Sequence, residues 1–248
     1  MTTTITINSD LGEDIGIHSF GNDDAILKIV DTVNVACGMH AGDPSTMDRT
    51  VRAAAAAGVT IGAHPGLPDI TGFGRRKMAI TTDEARDLVR YQVGALVGFL
   101  AAHGTPLDHV KPHGALFGMA ASDEKLMRSI CEVAGQYGVP VYGLAGTAHE
   151  SSAESCGVEF VAEFYVDLDY GKDGSLIVER RPRERTLESV RARTMQALLE
   201  GTVSTVEGTL VPVTVQSICV HSDLAAAPAV AKTVKEAIAA ALAARPKA

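Results

Sequence analysis

Two hydrophobic rhythms alternate along this chain. Short apolar runs with β character occupy residues 4–9, 32–37, 59–63, 108–111, 139–144, 159–166 and 213–220. Between them, apolar residues recur every three or four positions, the period of an amphipathic helix. Leu88, Val89, Ala95, Leu96, Phe99 and Leu100 form one such stripe, ending at Gly104. Leu126, Ile130 and Val133 form another, opened by Ser122 and closed near Gly138 and Pro140. The punctuation agrees with the stripes. Asp43 precedes Pro44 where a helix is to start, and Gly58 follows its end, the usual order of cap, first-turn proline and terminal glycine. Thr81 and Glu84 have the spacing of a capping box. Two further helices are expected over Thr186 to Glu200 and Leu224 to Ala244. Asp173-Gly174, between Asp167–Tyr170 and Ser175–Val178, predicts a β-hairpin.

Strand and helix alternating along the whole chain predict a parallel sheet with right-handed crossovers. Seven strands and no shift in composition predict an α/β fold, a seven-stranded parallel β/α barrel forming a single domain over residues 1–248. An open doubly wound sheet is the rival. It concentrates ligands at one switch point, whereas here polar residues follow at least five strands.

Those polar residues carry the functional reading, because a barrel builds its active site just past the carboxyl ends of its strands. The first run ends in Asp10 and Glu13, and the second contains Asn34 and leads to His40 and Asp43. His64 ends the third, followed by a Gly- and Pro-rich loop over residues 64–80 that carries Asp69, Arg75 and Arg76. Lys111 and His113 follow the fourth run on one strand face. Glu163 and Asp167 lie near the sixth, and His221 and Asp223 follow the seventh. Asp43 has a strong alternative as a helix cap. The arginines can fork onto a carboxylate or form a surface pair. His40, between Gly38 and Gly42, sits where the backbone can approach a ligand closely. Together these groups supply carboxylates, imidazoles and cations with no evident nucleophile, a set suited to activating water and moving protons.

Composition narrows the classes. Hydrophobic residues make up 46% of 248, enough for a sizeable core, and a net charge of −8 disfavours nucleic acid. The dense basic runs, Arg75-Arg76-Lys77 and Arg180 to Arg185, are short. Cys37, Cys131, Cys156 and Cys219 form no C-x-x-C pair, against the usual zinc-finger and thioredoxin spacings. Neither a signal peptide nor a membrane span is evident, so the expectation is a cytoplasmic protein with free thiols. There is no Walker-type phosphate loop, no dinucleotide fingerprint, no nucleophile elbow and no H-E-x-x-H.

Several strings are long enough to identify relatives. N-x-D-L-G-E (8–13), N-V-A-C-G-x-H-A-G-D-P (34–44), I-G-A-H-P-G-x-P-D (61–69), G-F-G-R-R (72–76), Y-Q-V-G-A-L (91–96), V-K-P-H-G-A-L (110–116) and C-V-H (219–221) closely resemble the LamB/YcsF family, whose bacterial members form the A subunit of 5-oxoprolinase. The resemblance implies a seven-stranded β/α barrel of the glycoside hydrolase/deacetylase type. It also implies ATP-dependent opening of the lactam 5-oxoproline to L-glutamate, with ATP used through a complex with two companion subunits. The sequence departs from the family pattern at Ser9, Gly118, Leu168 and Ser222, where the family has Cys, Asn, Arg and Gly.

The leading expectation is a cyclic-amide hydrolase. Asp10, His40, His64, Lys111 and His113 are its catalytic candidates. Asp10 or His64 would accept a proton from water, and Lys111 and His113 would stabilise the oxyanion or phosphate. Glu13, Asn34, Asp43, Asp69, Arg75, Arg76, Glu163, Asp167, His221 and Asp223 are candidates for binding substrate, with an arginine on its carboxylate. Two alternatives stay open: a metal-dependent deacetylase or hydrolase of the same superfamily, with Asp10, His64 and His113 as candidate ligands, and a noncatalytic ligand-binding regulator.

Overall fold

The computed structural model describes residues 4–178 and 184–244. Most of the basic run from Arg180 to Arg185 lies outside them. The sheet strands are β1 (Thr6–Leu11), β2 (Thr32–Ala36), β3 (Thr60–His64), β4 (Val141–Gly143), β5 (Phe160–Tyr165) and β10 (Ser217–Cys219), and two short hairpins supply the four strands between β5 and β10. The six sheet strands lie in the order β3-β2-β1-β10-β5-β4, and every pairing is parallel. The chain is therefore α/β with a curled parallel sheet, as the alternation implied.

The strand count of seven is corrected to six. The run at 108–111 forms no strand; Val110 alone makes isolated parallel bridges, one to Ala63 on β3 and one to Val141 on β4. Prolines explain the shortfall. Pro106 and Pro112 flank the run and Pro140 precedes β4, and proline has no N–H for a ladder. What remains is a short crossing in which Lys111 N donates to Ala63 O at 2.9 Å and Tyr142 N to Val110 O at 3.0 Å. That crossing connects the two edge strands and holds Lys111 at the centre of the molecule.

Side chains alternate along each strand. On one face Ile7, Val33, Val35, Ile61, Phe164 and Ile218 join the hydrophobic core under the helices. On the other face Asn8, Asp10, Asn34, Glu163 and Ser217 are buried as well. The concave interior of the sheet is thus polar, and the apolar half of each strand packs outward.

The helices start and stop where the punctuation placed them. Asp43 caps α2 (Pro44–Ala57), accepting from Ser45 N and Thr46 N, and Gly58 ends it at φ 70°. Thr81 and Glu84 close a complete capping box on α3 (Thr82–Ala102). The cap of α5 (Glu124–Tyr137) is Asp123 rather than Ser122, a one-residue shift of the usual size. Thr186 caps α7 (Leu187–Glu200), and α8 spans Ala227–Ala244, starting three residues later than the expected Leu224. Three helices carry too little periodicity to be read: α1 (Asp23–Ile26), α4 (Gly114–Ala120) and α6 (Ala148–Cys156). The hairpin at Asp173-Gly174 is present, β6 (Asp169–Tyr170) pairing antiparallel with β7 (Leu176–Ile177). A second, β8 (Thr202–Ser204) with β9 (Leu210–Pro212), precedes β10. Among the described residues no helix is long and apolar enough to cross a membrane.

Candidate active site

Register brings the polar residues together. Asp10 on β1 pairs with Asn34 on β2, and Ala36 at the end of β2 pairs with His64 at the end of β3. Across the sheet Asn8 pairs with Cys219, and Cys219 with Tyr165. Residues just beyond these pairs emerge at the carboxyl ends of neighbouring strands, around one buried centre.

Lys111 forms the floor. Only 2% of its surface is exposed. Its Nζ lies 2.9 Å from Glu163 Oε1 and 3.1 Å from Asp10 Oδ1, and it also donates to Asn8 Oδ1 at 3.2 Å. Burial lowers its pKa, but Asp10 and then Cys219 and Glu163 outweigh this and raise it well above the ordinary lysine value. Glu163 also accepts from the Tyr165 hydroxyl at 2.5 Å. Asn34 donates to both Asn8 Oδ1 and Asp10 Oδ1 at 2.8 Å, and its own oxygen meets His109 Nε2.

Asp10 is the hinge between floor and mouth. Oδ1 is engaged by Lys111 and Asn34, while Oδ2 faces His64 Nε2 at 3.4 Å and His221 Nε2 at 3.7 Å. Burial pushes its pKa up, yet His64, Lys111 and His221 together hold the carboxylate well below its usual range. It is ionised at neutral pH.

Above Asp10 stands a cluster of imidazoles. His64 meets His113 nitrogen to nitrogen at 2.9 Å. His113 stacks on His40, ring centroids 3.7 Å apart and planes within 5°. His40 Nε2 is 3.2 Å from Glu13 Oε1. Burial first, and neighbouring positive groups second, press His40 and His113 well below the ordinary histidine value. Burial, together with Asp10 and Asp223, raises Glu13. A methyl group at Gly66 would come within 2.5 Å of His40 Nδ1, so only glycine admits this packing. Gly42 has a different role from the one expected: at φ 80° it forms a turn in which a side chain would meet Gly12 O at 3.0 Å. Its reason is backbone geometry rather than ligand approach.

The mouth is formed by His221, Arg75 and Asp223. His221 Nδ1 lies 3.0 Å from both oxygens of Asp167. Burial lowers its pKa, but Asp167 and then Asp10 and Asp223 reverse this and lift the imidazole to about 9. Arg75 Nη2 pairs with Asp223 Oδ2 at 3.2 Å, and its guanidinium lies 4.9 Å over the Phe73 ring. Phe73 itself holds φ 54°, rare for a residue with a side chain, and its carbonyl accepts from His113 Nε2 at 2.8 Å.

Four expected site residues stand elsewhere than at the mouth. Asp43 is taken up by the α2 cap and by Gly16 N at 2.9 Å. Asp69 and Arg76 pair with each other, with Asp69 also capping the single turn Ile70–Gly72. Lys111 lies beneath Asp10 rather than at the mouth. Asn8, His109, Tyr165 and Cys219 were not anticipated. They sit inside or beside strand runs, and only the polar character of the sheet's concave face, visible as Asn8 in Thr6–Leu11, hints at them.

The profile of the LamB/YcsF family matches residues 5–246. The A subunit of 5-oxoprolinase from Limosilactobacillus fermentum is 44% identical over 238 residues, covering 94% of this chain and 95% of that one. The lactam utilization protein lamB of Emericella nidulans is 42% identical over 236 residues, covering 94% and 93%. The crystal structure of the lactam utilization protein from Thermus thermophilus superposes with a TM-score of 0.87 at 38% identity, covering 96% of each chain.

Proposed function

The chain belongs to the LamB/YcsF family, and on that premise we propose that it is the A subunit of a 5-oxoprolinase. The enzyme opens the cyclic amide 5-oxoproline to L-glutamate. The observation that carries this reading is the seating of ionised Asp10 between His64 and His221, beneath a mouth lined by Arg75. That is a base, an acid and a carboxylate binder in one enclosure.

A lactam carbonyl is a poor electrophile, and this chain has no phosphate loop of the Walker type. We assign activation to two companion subunits, which use ATP to place a phosphoryl group on the lactam oxygen. The enclosure then completes the reaction. Water adds to the carbonyl carbon beside the His64–His113 pair, and Asp10 takes its proton. The ring C–N bond breaks as His221 passes a proton to the departing nitrogen, leaving a γ-glutamyl phosphate, and a second water then cleaves this acyl phosphate to L-glutamate and phosphate. An acid with a pKa of about 9 is well matched to an amine leaving group, since proton transfer is most effective between groups of similar strength. Arg75 holds the substrate carboxylate. Lys111 touches no substrate; it is a positioning residue that, with His64 and His221, keeps Asp10 ionised.

The test is reconstitution. Glutamate release from 5-oxoproline is measured with this chain, ATP and the two companion subunits, omitting each in turn. Turnover is expected only with all present. Robust ATP-dependent hydrolysis by the isolated chain would contradict the assignment.

A further inference from the structure

The tautomers of His64 and His113 are fixed by the backbone. His64 Nδ1–H donates to the carbonyl of Lys111 at 2.8 Å, and His113 Nε2–H donates to the carbonyl of Phe73 at 2.8 Å. A carbonyl only accepts, so both of those nitrogens carry protons, and in a neutral ring the other nitrogen is a bare lone pair. The two remaining nitrogens, His64 Nε2 and His113 Nδ1, face each other at 2.9 Å. Two lone pairs at hydrogen-bond distance repel, so the contact calls for a cation between them: a proton, which makes His64 the charged partner of Asp10, or a metal ion bound by both rings.

A carboxylate completes the set. Glu13 Oε1 lies 3.7 Å from His113 Nδ1, and both side chains are buried. One ligating atom each from Glu13, His40, His64 and His113 falls within a sphere where all lie less than 4.8 Å apart. Bonds of about 2.0–2.2 Å from one ion place neighbouring ligand atoms about 3.0–3.5 Å apart, and the contacts of 2.9 and 3.7 Å bracket that spacing. Both His64 and His113 also have, on the far nitrogen, the backbone acceptor that orients metal-bound histidine.

His40 is excluded as a ligand by its orientation. Its ring is parallel to that of His113 within 5°, so in-plane lone pairs on the two rings do not converge on one ion. It donates instead to Glu13, 3.2 Å from its Nε2. A second group of donors, Asp10, Cys219 and His221, is excluded by charge. The ammonium of Lys111 stands 3.1 Å from Asp10 and 3.2 Å from Cys219 Sγ, where it repels a second cation.

We propose that His64 Nε2, His113 Nδ1 and a carboxylate oxygen of Glu13 bind one divalent transition-metal ion of the zinc class. Two imidazoles and a carboxylate suit zinc, cobalt, iron or nickel, and three protein ligands leave a position open for water next to Asp10. The site stands on its own geometry; its use in readying water rests on the reaction proposed above.

The full-length chain is stripped with a chelator and titrated with Zn²⁺ and Co²⁺ by calorimetry, with cobalt's visible absorption recorded in parallel. One equivalent is expected, with cobalt d–d bands of low coordination and a metal-dependent rise in melting temperature. His64→Gln and His113→Gln should each weaken binding by more than about 10²-fold, beyond what loss of an outer-shell partner costs. Glu13→Gln should weaken it as well, and His40→Gln should retain the cobalt bands. If either histidine variant fails to fold, the other and Glu13→Gln carry the comparison, with folding checked by circular dichroism. Absence of stoichiometric binding by the folded wild-type chain overturns the proposal, as does binding that His113→Gln leaves unchanged. Metal bound without lactam turnover in the complete complex supports the site and sinks the reaction it serves. Full turnover by the metal-free complex overturns the site's part in the reaction and leaves the chain's place in a 5-oxoprolinase standing.

Discussion

The ammonium of Lys111 is seated 2.9 Å from the carboxylate of Glu163, with both side chains almost wholly enclosed. Asp10 shares the same ammonium at 3.1 Å. One ammonium therefore bridges two buried carboxylates, of which Asp10 also faces His64 and His221. Separating such a group from its partners leaves charge in a medium that solvates it poorly, and breaking a buried pair costs about 3–5 kcal/mol.

Lys111→Met tests this directly. It keeps the aliphatic stem and deletes the charge, leaving Asp10 and Glu163 to repel each other. We expect a loss of about 3–5 kcal/mol, a fall in melting temperature of roughly 6–20 °C for a chain of this size, and reduced turnover in the folded fraction because Asp10 loses the ammonium that positions its Oδ1. Differential scanning calorimetry checks the first, and reconstituted turnover the second. A melting temperature within a degree or two of wild type would show that Lys111 is not the floor of the site.

His221 gives the pH dependence a sign. Its folded pKa of about 9 lies above the unfolded value of about 6.5. The folded state therefore holds the proton more tightly, and this stabilisation is fully present below pH 6.5 and lost as pH rises through 9. The groups facing it are Asp167, Asp10 and Asp223, with Tyr165 stacked alongside. The difference corresponds to roughly 3 kcal/mol. Chemical denaturation of wild type and His221→Gln between pH 6 and 10 should show the wild-type advantage shrinking across that window. Parallel stability curves would remove His221 as a charged acid.

His149 predicts the opposite slope at the acid end. It is fully buried, accepting from Leu144 N at 3.1 Å and meeting Phe117 O at 3.0 Å. Burial lowers its pKa to about 4, so the folded chain resists protonation that the unfolded chain accepts. Its contribution is present above pH 6.5 and declines towards pH 4, by roughly 3 kcal/mol. His149→Asn keeps an acceptor for Leu144 N but cannot titrate. Its stability should fall less steeply over that range, whatever its absolute value at pH 7.

Asp43→Ala separates cap from site. The carboxylate accepts from Ser45 N, Thr46 N and Gly16 N, and loss of an N-cap costs about 1 kcal/mol. Reconstituted turnover should stay within about twofold of wild type, since that loss leaves a stable fold well populated. A drop of about 10²-fold or more, the scale of a lost catalytic contact, would return Asp43 to the binding residues.

Much of this arrangement is legible in the chain, for physical reasons. Asp43 announces its cap because Pro44 follows it, and His64, His113 and His221 are visible because each interrupts an apolar run. The six strands are found, but their ends are not: the run 213–220 yields only Ser217–Cys219. The run 108–111 reads as a strand by hydrophobicity, while Pro106 and Pro112 deny it a ladder. The polar floor is the part hardest to foresee. Asn8, His109 and Tyr165 lie within or beside runs that also supply core residues, and one residue of register decides which face a side chain occupies. The separation of Arg75 from Arg76 is equally hidden, because it depends on the turn at Ile70–Gly72, where Asp69 takes up Arg76.

The most direct measurement is turnover of 5-oxoproline by the reconstituted complex carrying Asp10→Asn. Asparagine keeps the shape of the side chain and leaves Lys111 paired with Glu163, so the fold should hold, as melting temperature will report. Removing a general base costs about 10²–10⁴-fold in rate, and we expect glutamate release to fall by at least about 10²-fold with KM little changed. Turnover within a few-fold of wild type, from a folded and assembled Asp10→Asn complex, would contradict the placement of ring opening at the carboxyl ends of this sheet.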